Sequence, residues 1–245
     1  MVSMPHHPPL PAGGTGRLAF GPAEEDRLVT RTLEFIREQL PAWRDDPRRP
    51  TKVAEKGLNS SLSDFLDVKS RTHLPMARFK HESPQAARRT VDIGVHGLDE
   101  PTMIGTRSYG IYEPFLVIEC KRLPSPGGKD REREYVIGFD GPNDSPTGGI
   151  QRFKLGLHGS GVEVAAIVGY IEQHDSNHWH EEINQWLADL VTSQSIDGTT
   201  WSVSERLQDL VADTENIAWS DSEHARIGNC ITPEIHLRHI WVTMG

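Results

Sequence analysis

The run EPFLVIECKRL (113–123) constrains this chain more than any other stretch. Four apolar residues in succession, Phe115 to Ile118, describe a strand covered on both faces, and such a strand belongs to a sheet with helices packed against it. Glu119 and Lys121 nevertheless end the run. Residues two apart in a strand share a face, so a carboxylate and an ammonium are carried together onto a partly dry surface. Cys120 points the other way and reads as a small buried hydrophobe. Charges are seldom buried without partners, so the sequence must supply something to match them.

The flanking segments define what surrounds this strand. Leu28, Leu33, Ile36 and Leu40 recur at helical spacing behind the acidic first turn Glu24, Glu25 and Asp26, with Pro41 expected to close the helix. A second helix is expected over 53–68, where Leu58, Leu62, Phe65 and Leu66 share a face. The period then changes, and extended segments at 76–83, 89–95 and 111–122 follow with no helix between them, which predicts an antiparallel meander. A helix over 149–158 leads to VEVAAIVGYI (162–171), a strand placed by its helical crossover to pair parallel with one of the meander at the centre of the sheet. A helix over 177–193, capped by Asn177 and striped by Ile183, Trp186, Leu187 and Leu190, and a last strand over 234–244 complete the chain. The expectation is an α/β fold: one domain over 22–245, with a mixed central sheet (antiparallel meander plus parallel strand) flanked by helices. The Pro- and Gly-rich residues 1–21 read as a flexible lead-in.

Several classes of function are disfavoured. A net charge of −9, from 26 Lys and Arg against 35 Asp and Glu, is unlike that of a protein that coats nucleic acid. No apolar run approaches the roughly 20 residues needed to span a bilayer, and the N-terminus has no apolar core of a secretory signal, so a cytoplasmic protein without membrane contact is expected. The two cysteines lie in no CxxC pattern, and no GxxxxGK[ST] loop is present. HDSNHWHEE lacks HExxH and reads as a polar helix start, and Ser222 with His224 in SDSEHARIG lacks a nucleophile elbow.

The strand before the run carries a single acid, Asp92 in RTVDIGV. Paired through the long hairpin, it comes beside Glu119 and sets two carboxylates and a lysine on neighbouring strands. Like charges held together call for a proton or a cation. Hard oxygen ligands favour Mg²⁺, with Mn²⁺ as a substitute, and a nearby lysine can orient water and offset charge growing on a phosphate oxygen. The other reading of Glu and Lys two apart is a structural ion pair or a solvated strand face.

VDIGV followed by VIECKRL resembles the PD-(D/E)xK nuclease superfamily, with the restriction-endonuclease-like fold, over roughly residues 55–171. Val91 stands where the family's name has proline, a position that varies within it. The resemblance implies an α-β-β-β-α-β core and a Mg²⁺-dependent endonuclease in which Asp92 and Glu119 hold the metal and Lys121 positions water. It adds Gln151 as a contact to metal-bound water or nucleic acid, with Glu55 and Glu82 as further candidate ligands. Arg89, Arg122, Arg152 and Lys154 are the candidate contacts to nucleic acid, DNA before RNA, and a role in prokaryotic antiviral defence is implied. An activating or recruiting protein partner and a homodimer are also implied. The alternative is a catalytically silent nuclease-fold subunit that serves as a scaffold.

Overall fold

The computed structural model describes residues 22–50, 54–85, 89–140, 145–193 and 197–245; the lead-in over 1–21 lies outside them. Two helices come first, α1 (Pro22–Arg44) and α2 (Glu55–His73). The strands β1 (Ala77–Pro84) and β2 (Thr90–Gly97) follow, then a small hairpin of β3 (Thr102–Ile104) and β4 (Arg107–Tyr109), then β5 (Pro114–Leu123). A second small hairpin, β6 (Phe139–Asp140) with β7 (Ser145–Pro146), precedes α3 (Gly149–Lys154) and β8 (Val164–Ile171). The chain ends with α4 (Ser176–Val191), β9 (Val211–Ala212), β10 (Ile217–Ala225) and β11 (Glu234–Thr243).

Seven of these strands form one mixed sheet in the order β1-β2-β5-β8-β11-β10-β9. The first three are antiparallel, as expected of a meander, and β8 joins β5 in parallel with Glu119 beside Ile167 and Lys121 beside Gly169. β11 extends the parallel run, and β10 and β9 return antiparallel.

Alternation along β8 shows how the two faces are used. Tyr170 meets the first helical layer: its ring lies 5.5 Å from Trp43 of α1 and its hydroxyl donates to Asn59 of α2. Gly169 faces the second layer, and a Cβ there would lie 2.4 Å from Cδ1 of Trp241, so glycine is what lets that indole cross the strand. Helix α3 sits close on this second face. A Cβ on its first residue, Gly149, would lie 3.6 Å from Cε of Lys121.

Several boundaries differ from expectation. Helix α1 runs through Pro41 to Arg44 because Trp43 is buried against Tyr170 and donates to Ser61, so tertiary packing holds the last turn. The third meander strand starts at Pro114 rather than Ile111, since Gly110 and Glu113 form a turn. The expected helix over 149–158 stops at Lys154, and α4 is capped by Asp175, which accepts from the His178 N–H at 2.8 Å, instead of by Asn177.

Sequence reading leaves out β10 altogether. Its inward positions, Ser220, Ser222 and His224, are polar yet buried, and a row of hydrogen bonds satisfies them. Trp241 Nε1 can only donate, so it gives its proton to the Tyr135 hydroxyl at 2.9 Å, and Tyr135 therefore donates to His239 Nδ1 at 2.7 Å. His239 Nε2 then donates to Ser222, Ser222 to His224 Nε2, and His224 Nδ1 faces Glu205 at 3.3 Å, where Lys154 closes the row at 2.6 Å. Burial pushes both imidazoles down, which keeps them neutral, as this direction requires.

Candidate active site at the free edge of β5

β5 has a strand on both sides only as far as Ile118, which faces Ile93 of β2. One step further, an antiparallel ladder sets Asp92 opposite Glu119 with both side chains on one face. There the backbone ladder ends and side chains continue it. Asp92 Oδ2 accepts from the Cys120 N–H at 2.7 Å, and Glu55 Oε2, from the first turn of α2, accepts from the Arg122 N–H at 3.0 Å. Alternate amides of a strand point to the same edge, so two carboxylates occupy the places of the missing strand's carbonyls. Their amide partners are about 7 Å apart, two strand rises.

Glu119 turns toward α3 and is almost fully buried. Its Oε1 lies 2.7 Å from Arg152 Nη1 and 3.3 Å from Lys121 Nζ. His158 Nδ1 lies 3.0 Å from Oε2, yet off the line of a hydrogen bond, and both atoms are left without a hydrogen-bond partner among the described residues. The turn that ends α3 places both the Arg152 and His158 side chains, because the amide of His158 bonds back to the carbonyl of Arg152. His158 is the residue sequence reading missed. A single histidine before GSG carries no periodic or motif signal, and only the short helix brings it back over β5.

The electrostatics divide the acids into two kinds. Burial first, and then the Glu119 carboxylate, push Asp92 up to about 7 against the opposing pull of the Cys120 N–H and Lys121. Burial likewise raises Glu55, with Lys121 and the Arg122 N–H opposing. Burial alone would raise Glu119 as well, but His158, Lys121 and Arg152 reverse it and hold that carboxyl well below the usual range. Burial would lower Lys121, and Glu119 and Glu55 more than offset it. One carboxylate is therefore firmly ionised, and two half-shielded carboxyls retain a proton more readily than in water. A hard divalent cation suits such acids, since it stabilises the charge that burial opposes. Among the described residues no three His, Cys, Asp or Glu side chains form a ready-made metal group; each of the three acids has one oxygen engaged by an amide or a cationic side chain.

The remaining candidates separate. Arg152 stands in the site, and Arg89 stands beside it. Arg122 donates its backbone N–H to Glu55, but its side chain points to the opposite face from Lys121 and pairs with Glu172. Gln151 is fully buried and its side chain is engaged structurally: the carbonyl accepts from the Gly138 and Gly148 amides and the NH₂ donates to Asp197, so the expected contact with metal-bound water or nucleic acid is not what it makes. Lys154 is not a nucleic-acid contact. It is 2% exposed and locked to Glu205 and the Ala225 carbonyl, because two helical residues past Arg152 turn it about 200° away. Glu82 is exposed, pairs with Lys56 at 2.7 Å and takes no part in the cluster. No helix among the described residues is long and apolar enough to cross a membrane. No protein-family model matches the chain, and neither does any curated protein or solved structure with which it was compared.

Proposed function

We propose that this chain is a metal-dependent phosphodiesterase of the PD-(D/E)xK type that cuts DNA in preference to RNA and serves a prokaryotic defence system. The observation that carries the reading is the gathering of Asp92, Glu119 and Lys121 on one face at the end of β5, with Glu55 beside them on the same edge. The order α2-β1-β2-β5-α3-β8, with β8 parallel to β5, supports it as the arrangement the resemblance implies.

Asp92, Glu119 and Glu55 would hold Mg²⁺ or Mn²⁺, which when bound supplies a water of lowered pKa and a counter-charge for phosphate. The chain's own residues do the rest. Lys121, kept cationic by Glu119 and Glu55, presents N–H donors to the attacking water and to the oxygen on which charge grows. Arg152, by its hydrogen bond, and His158, in contact with the other oxygen, fix Glu119 in one orientation. The acidic net charge fits an enzyme brought to its substrate by a protein partner or by its own dimerisation.

A silent scaffold is the second reading, favoured by the ion pairs to Glu119, which a purely structural charge cluster would also make. Incubation of plasmid, single-stranded DNA and RNA with the protein in Mg²⁺, Mn²⁺ or EDTA, beside Lys121→Ala, separates the two. Metal-dependent cutting that the variant loses supports the nuclease, whereas no cutting together with no stabilisation by metal supports the scaffold.

A further inference from the structure

Two guanidinium groups meet over one carbonyl next to the candidate site. Arg89 Nη1 donates to the Pro146 carbonyl at 3.2 Å, and Arg152 Nε donates to the same oxygen at 3.3 Å. Arg89 also donates to the Ser145 hydroxyl at 3.1 Å. Like charges this close repel, and burial with the Arg152 charge lowers the pKa of Arg89. Arg152 has Glu119 as its counter-ion, but Arg89 forms no ion pair with a carboxylate among the described residues. Glu119 is shared between Arg152 and Lys121, so Arg89 stands as a cation without a carboxylate counter-ion among the described residues, beside the carboxylates that would hold a metal.

We propose that Arg89 and Arg152 form a fork for one internal phosphodiester of the nucleic-acid strand, next to the bond that is cut. A phosphodiester bears a single negative charge, which matches the cation without a carboxylate partner, Arg89, while a terminal phosphomonoester brings more charge than that. Planar guanidiniums suit such an oxyanion because each offers paired N–H donors. The Pro146 carbonyl and Ser145 hold the fork open in advance, so its geometry does not have to be assembled on binding. The inference takes its substrate from the nuclease reading, but anion binding by the fork needs no metal and no cutting.

The test is fluorescence anisotropy of a labelled single-stranded DNA oligonucleotide in EDTA over a range of salt, with wild type, Arg89→Ala, Arg89→Lys and, as a control, Arg37→Ala on α1. Arg89→Ala is expected to weaken binding about tenfold and to reduce the slope of log K against log salt by roughly 0.7, the loss of one phosphate contact to a single strand. Arg89→Lys keeps the slope but loses part of the affinity, and Arg37→Ala matches wild type. A 5′-phosphorylated oligonucleotide and its 5′-hydroxyl counterpart bind within twofold of each other. Equal affinity and slope in wild type and Arg89→Ala, or no binding by wild type at the lowest salt, overturns the fork, and a tenfold preference for the 5′-phosphate overturns its assignment to a diester. Loss of binding in Arg89→Ala without metal-dependent cutting by wild type leaves the fork standing and removes the nuclease; cutting by Arg89→Ala with unchanged KM does the reverse.

Discussion

Replacing Asp92 by asparagine is expected to stabilise the protein while abolishing the proposed nuclease activity. An amide of the same shape still accepts the Cys120 N–H through Oδ1, but it removes a charge that burial and Glu119 both oppose. The carboxyl of Asp92 moves from an ordinary 3.8 to about 7 in the fold. A folded-state value above the unfolded one means that the native protein binds the proton more tightly. Stability is therefore lost as pH rises from 3.8 toward 7 and stays lost above that. The full difference is about 4 kcal/mol at pH 8.5 and falls to about 2 kcal/mol at pH 5. For a chain of this size each kcal/mol moves Tm by about 2 °C or somewhat more, so Asp92→Asn should melt about 8 °C above wild type at pH 8.5 in EDTA and about 4 °C above it at pH 5. If Asp92 holds a divalent cation as proposed, the cation binds the wild-type carboxylate and not the amide, so 10 mM Mg²⁺ should narrow the gap at pH 8.5, by about 1.4 kcal/mol if the site binds at 1 mM. Calorimetry at both pH values, with and without metal, measures all three quantities. An asparagine variant that is no more stable at pH 8.5, or whose advantage does not shrink toward pH 5, would refute the electrostatic account of the site.

Lys121→Ala should reduce kcat by about 10²–10³-fold with a much smaller change in KM, the loss typical of one donor aimed at developing charge, read from initial rates on plasmid DNA. Lys154→Ala strands Glu205 in the interior beside the neutral His224 and should cost about 3–5 kcal/mol by urea denaturation, with the affinity of the folded protein for oligonucleotide unchanged. Gly169→Ala drives a methyl group into the Trp241 indole and should cost about 1–3 kcal/mol, measured as a drop in urea midpoint with an altered Trp fluorescence spectrum. Gln151→Ala, which releases the Gly138 and Gly148 amides and Asp197, should lower Tm, with any loss of activity recovered by assaying at lower temperature.

The part of the site that sequence exposed is the part set by strand parity. Glu119 and Lys121 share a face because they are two apart, and the apolar run before them makes their burial conspicuous. Asp92 followed from the meander. Glu55 was legible only as an acid near a helix start, because nothing local says that its carboxylate reaches the Arg122 amide 67 residues away. Lys154 and Gln151 lie away from the cluster for one reason: the rotation of α3 sends Arg152 to Glu119 and its neighbours elsewhere, and charge and amide chemistry alone do not reveal that rotation. β10 was invisible because hydrogen bonds replaced apolar side chains at its inward positions, so the alternation that marks a half-buried strand was missing.

The acids at the end of β5 also bear on how the protein avoids sticking to itself. A sheet edge with free amides is a template on which a strand from another molecule can grow. Past Ile118, β5 has two such amides, and Asp92 and Glu55 cover both with groups that accept a hydrogen bond but cannot propagate a ladder. The carboxylates proposed to hold the cation thus also close the ladder, and a variant that shortens both acids would leave the Cys120 and Arg122 amides without acceptors.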